Sequence, residues 1–115
     1  MQRDMDLIRL VMLSAEAGPP YPPIEGYTQD AIKYHEMLAI EHGLLEGAVH
    51  KVHTHPTEIP GAVIVRGVTW EGHDFIDAIR EDKNWTKVKS FLAEGGKQLT
   101  IETVKFAVLR LFGPG

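Results

Sequence analysis

Cysteine is absent from this 115-residue chain. That excludes a disulfide framework, a thiol nucleophile and every thiolate-based zinc site, and it fits a reducing compartment. Long apolar runs are missing as well. No stretch approaches the roughly 20 residues that span a bilayer, and Met1-Gln2-Arg3-Asp4-Met5-Asp6 leads into no apolar core of signal-peptide type. No membrane association is expected, and the expected location is the cytoplasm. Positive charge is in deficit: the net charge of −4 argues against a protein that coats nucleic acid nonspecifically. There is no glycine-rich phosphate loop, no nucleophile elbow and no Ser/His/Asp order to defend. Neither an enzyme nor a cofactor is expected.

What is present is a globular composition. Hydrophobic residues make up 43% of the chain, and the length fits one domain. Charge is uneven. Residues 1–82 carry 6 basic and 14 acidic side chains, net −8, and residues 83–115 carry 6 basic and 2 acidic, net +4. Met5, Ile8, Met12 and Ala15 recur at helical spacing over residues 3–17, and Leu7, Leu10 and Leu13 add a second apolar stripe. A helix apolar on two sides is packed on two sides, either centrally or against a dimer partner. Gly18-Pro19-Pro20-Tyr21-Pro22-Pro23 breaks it and reads as a stiff extended connector in preference to a ligand for proline-reading domains. Ile24 to Tyr27 can add a short strand.

Thr28 is an N-cap for a helix to about His42, and Gly43 ends that helix. Leu44 to Lys51 and Ala62 to Val68 read as the two strands of a hairpin with a long tip. Thr69 caps a third helix from Trp70 to about Asp82, with Phe75, Ile76 and Ile79 inward. A fourth helix carries Trp85, Val88, Phe91 and Leu92 on one side. Gly95-Gly96 breaks it, and Thr100 caps a last helix with Ile101, Val104, Val108 and Leu111 as its stripe. The order predicts an α+β fold of winged-helix type: helix, short strand, helix, β-hairpin wing, helix, with two extra C-terminal helices. The core would span 1–82 and the helical extension 83–115, packed together as a single domain. The connector is too short to be the helix that normally precedes a recognition helix.

The chain resembles a family of small bacterial and phage or prophage proteins, the domain-of-unknown-function family twenty-five-thirteen. The resemblance rests on Arg3-Asp4-Met5-Asp6-Leu7-Ile8, Gly26-Tyr27, Tyr34-His35, Gly43-Leu44 and the run from Val68-Thr69-Trp70-Glu71-Gly72 through Arg80. Trp85, Val88-Lys89 and Gly95-Gly96 complete it. Gln2 stands where a lysine is usual, and the Pro-rich connector and His-rich hairpin tip are particular to this chain. The resemblance implies a winged-helix-like fold and a phage-associated context, and carries no activity with it.

Two sets of residues are candidates for binding. A duplex-reading surface would use Gln29 and Lys33 on the second helix with Lys51, His53, His55 and Arg66 on the wing, because such side chains pair with bases and phosphates. The basic C-terminal part adds Lys83, Lys87, Lys89 and Lys97. A protein-binding surface would use Glu36, Met37, Ile40 and Glu41, since exposed apolar side chains beside acids suit a protein partner better. The first gives a double-stranded DNA regulator of phage or prophage type. The second gives a phage-encoded modulator or inhibitor of a host defence or transcription complex. The sequence prefers DNA, on the fold. His53 and His55 share a strand face and Glu58 can join them, but the spacing matches no zinc pattern. His35 and His42 fall on the packed arc of the second helix, and His73, beside Glu71 and Asp74, is expected to make a local hydrogen bond or to face solvent. Glu71, Asp74 and Asp77 read as a solvated face.

Overall fold

Asp4 opens the first helix. Its backbone is extended, and its carboxylate accepts from the Asp6 N–H at 2.9 Å and the Leu7 N–H at 3.4 Å. Two of the donors that any helix start leaves open are thereby satisfied. In the computed structural model, which describes residues 1–52 and 58–113, helix α1 (Met5–Ala17) follows this cap. Then come α2 (Gln29–Glu41), strands β1 (Leu45–His50) and β2 (Ala62–Val68), and helices α3 (Trp70–Asp77), α4 (Asp82–Glu94) and α5 (Ile101–Phe112). The class is α+β, and β1 and β2 pair antiparallel. Among the described residues no helix is long and apolar enough to cross a membrane.

The chain forms two compact units, residues 1–73 and 74–115. In the first, α1 packs against α2 and β2, and α2 packs against both strands. Met5, Ile8, Met12 and Ala15 are buried, as their spacing requires. The second apolar stripe is covered too: Leu7 is fully buried, and Leu10 and Leu13 are half-buried against Pro22, Pro23 and Ile24 of the connector. The Ser14 hydroxyl pins that connector by donating to the Pro22 carbonyl at 2.8 Å. In the second unit α4 packs on α5, burying Trp85, Val88 and Leu92 with Ile101, Val104 and Ala107.

Three expectations need correction. Residues 24–27 form no strand. Gly26 has φ +86°, a left-handed conformation that interrupts an extended run. The third helix ends at Asp77 rather than Asp82, because the chain tightens there, with the Ile79 N–H bonding to the Ile76 carbonyl three residues back. A separate start at Asp82 follows. The inward stripe of α5 runs through Ala107, while Val108 is half-buried and Leu111 is exposed. At about 100° per residue Leu111 shares the arc of Val104 and Ala107, and it is exposed because it lies in the last turn, one turn beyond the last buried residue.

Candidate interaction surface

The residues that carry the family resemblance meet at two latches. At the first, the Asp4 N–H donates to His35 Nε2 at 2.8 Å, while His35 Nδ1 lies 2.7 Å from the Ala31 carbonyl. A backbone donor on Nε2 requires a lone pair there, so the proton sits on Nδ1. His35 is only 1% exposed, and both ring nitrogens are satisfied, as the helical wheel anticipates. Tyr27 completes the cluster. Partial burial, and then the charges of Asp4 and Asp6 and a hydrogen bond to Asp4, push its hydroxyl above its ordinary range. At the second latch the Thr69 hydroxyl donates to the Gly43 carbonyl at 2.6 Å and accepts from the Gly72 N–H at 2.9 Å. One side chain thus caps α3 and ties it to the end of α2, where Gly43 turns at φ +75°. A Cβ on Gly72 would overlap the Leu44 carbonyl oxygen and lie 2.8 Å from Val68 Cγ1 and 2.9 Å from Met12 Cε. These motifs hold the fold together.

The α2 face expected to be open to solvent is covered by the hairpin. Gly47 in β1 has no room for a side chain: a Cβ there would run into the Ile64 carbonyl oxygen and come within 2.9 Å of Ile40 Cδ1. That bare spot lets α2 settle on the strand. Met37, expected as an exposed contact, is therefore buried at 6% exposure, and Ile40 is half-buried. Lys33 is drawn the same way, with its ammonium 3.5 Å from the Gly61 carbonyl and 3.7 Å from Asp30. Lys51 reaches back to Glu41 at 3.8 Å. Of the residues nominated on α2 and the wing, Gln29, Glu41, Lys51 and Arg66 remain exposed, while His53 and His55 lie outside the described residues. Of the apolar half of the expected protein-binding face, only part of Ile40 reaches the surface.

Glu36 is half-buried on the same helix, and burial raises its pKa above the ordinary carboxylate value of 4.5. The folded state thus holds the proton more tightly than the unfolded chain does. Folding stability falls as pH rises through the range between the two pKa values, and the penalty persists at neutral pH. Glu36→Gln is expected to raise the melting temperature at pH 7, with the gain vanishing below about pH 4 where both states are protonated. Thermal melts at the two pH values check this. An equal shift at both would mean that burial of the charge is not its cause.

Three side chains stand out on the other side of the hairpin and just beyond it. Ala48 pairs with Ile64 and His50 with Ala62, but the register slips between Glu46 and Gly47, so that Arg66 faces no residue of β1. Such a bulge re-aims the extra side chain, and Arg66 is exposed. Among the described residues it has no carboxylate partner. Ile64 is 49% exposed. The residue that sequence reasoning missed is Trp70, 85% exposed at the first position of α3. It follows Arg66 by four residues, a chain span of at most about 14 Å. Its indole buries almost nothing, although its neighbours Thr69 and Gly72 are locked in place. His73 faces solvent, one of the two roles expected of it, with its Nδ1 3.8 Å from Glu16.

Among the described residues no group of three or more metal-ligating side chains converges. The connector groove of about 220 Å³ is lined by Leu10, Leu13, Ser14, Pro22, Pro23 and Ile24, and its one hydroxyl is already engaged with Pro22. The fold thus defines a small α+β protein with a two-stranded antiparallel hairpin. The chain belongs to the family described as Hypothetical protein (DUF2513), whose model matches residues 2–98. It is also similar to an uncharacterized protein of Haemophilus influenzae, 28% identical over 111 residues that cover 91% of this chain and 90% of the relative. No solved structure matches.

Proposed function

We propose that this chain is a non-enzymatic binding module of winged-helix type that grips a protein partner through Trp70, with Arg66, four residues before it, as a second contact. The order α1, α2, hairpin and α3 supports the winged-helix assignment, with β1–β2 as the wing and the proline connector replacing one helix. The observation that carries the function is the 85% exposure of Trp70 on a locked backbone. A large rigid ring held out in water is what interface hot spots are made of, because covering it removes much apolar surface at little entropic cost. A protein partner fits better than a duplex. Residues 1–73 carry five basic and ten acidic side chains, net −5, and two of the cations nominated for phosphate are engaged, Lys33 with Gly61 and Lys51 with Glu41. The partner would offer an apolar pocket for the indole and a carboxylate for Arg66. A component of the host's defence or transcription machinery would suit the phage-associated context of the family resemblance.

Trp70→Ala is expected to leave the melting temperature within about 2 °C, since the ring buries so little, and to abolish partner retention from lysate of the native cell. The unaltered chain should show no salt-sensitive binding to a labelled duplex. Retention that survives Trp70→Ala would remove the indole from the account. Duplex binding that weakens steeply with salt and is lost in Arg66→Ala would return the function to DNA recognition.

A further inference from the structure

We propose that the outward face of α5, within the unit 74–115, is a second docking surface, and that it takes an acidic amphipathic helix of a protein partner. The inner arc of α5 is complete with Ile101, Val104 and Ala107. Opposite it, Phe106 and Leu109 remain 43% and 59% exposed. They are three residues apart and so neighbours on the helix surface. Helical geometry sets Lys105 on one flank of this pair and Arg110 on the other, at roughly 100° per residue. Lys97 adds a third cation, its ammonium 5.5 Å from the centre of the Phe106 ring. Phe91 supports the ring from α4 at a centroid distance of 6.3 Å. Among the described residues Lys97, Lys105 and Arg110 have no carboxylate partner.

The charge pattern selects the occupant. A second copy would meet this face with its own, bringing Lys105 and Arg110 against like charges, as a two-fold interface requires. An anionic lipid surface or a phosphate backbone would meet Glu102, which is exposed within the same arc between the two cationic flanks. A helix with two apolar anchors on one face and carboxylates on both sides matches it. The anchors cover Phe106 and Leu109 and the carboxylates pair with the three cations, one helix laid along another.

The test is fluorescence anisotropy of the full chain with two synthetic helical peptides of about five turns. Both carry Leu at helical spacing on one face, one with Glu and one with Lys on the flanks. The Glu-flanked peptide is expected to bind at least ~10-fold more tightly than the Lys-flanked one. Lys105→Glu combined with Arg110→Glu should invert that preference while lowering the melting temperature by no more than about 4 °C, because both side chains are exposed and only Arg110 lies in the last helical turn. Leu109→Ala should weaken binding of the Glu-flanked peptide. No binding of that peptide, equal affinity for the two, or indifference to the charge reversal would overturn the proposal. So would capture of vesicles containing phosphatidylserine through this face, or sedimentation as a dimer that Leu109→Glu dissociates. Trp70→Ala should leave every one of these results unchanged, which keeps this surface separate from the one at Trp70.

Discussion

Gly72→Ala is expected to lower the melting temperature by more than ~10 °C, the opposite of what helix propensity predicts. In an open helix that exchange would stabilise by about 1 kcal/mol. Here the added methyl has nowhere to go. It would overlap the Leu44 carbonyl oxygen, a backbone atom held by bonds from the Thr69 N–H and by the turn at Gly43, and it would crowd Val68 and Met12. Relief requires α3 to lift away from the end of α2, which breaks the Thr69 bond to Gly43. Overpacking with loss of that hydrogen bond amounts to about 3 kcal/mol, or ~12 °C for a chain of this size. Gly67→Ala is the control. Nothing lies within 4 Å of its would-be Cβ, so its effect should stay within about 0.5 kcal/mol. A neutral or stabilising Gly72→Ala would mean that the corner between α2 and α3 is not closed.

The second large effect falls on the first latch. His35→Ala removes a fully buried ring and strips the Asp4 N–H of its acceptor at the point where α1 begins. The cavity and the orphaned donor together should destabilise by about 3 kcal/mol or more. His35→Phe fills the space without restoring the acceptor, so it is expected to recover only part of the loss. Full recovery by Phe would show that the hydrogen bond to Asp4 contributes nothing. Thermal or urea melts of the two variants separate the terms.

These latches explain how much of the fold could be read from the residues. Thr28, Gly43, Thr69 and Thr100 announced helix boundaries through chemistry that is local, and each boundary stands where its cap or turn sits. The buried state of His35 followed from the helical wheel, whereas His42, placed on the same arc, is exposed at the end of α2. The wheel failed at Met37 because α2 is covered on two sides, and the second cover is the hairpin. Where a hairpin folds is a tertiary fact. Its one local trace was Gly47, a residue without a side chain in the middle of a strand. Trp70 was missed although a signal existed. Gly72, Phe75, Ile76 and Ile79 mark the inner arc of the third helix, and at about 100° per residue Trp70 points away from all four. The outer face of α5 was hidden for a related reason. Phe106 and Leu109 form a second apolar pair opposite Ile101, Val104 and Ala107, and the inner stripe alone accounted for the helix.

The central claim is that Trp70 is covered by a protein. The most direct measurement replaces Trp70 with p-benzoylphenylalanine, a photoreactive residue of similar bulk, and irradiates living cells that make the full chain. The account predicts a discrete adduct from position 70 that protease destroys and nuclease leaves intact. An adduct that nuclease destroys, or none at position 70 while the chain is folded, would contradict it.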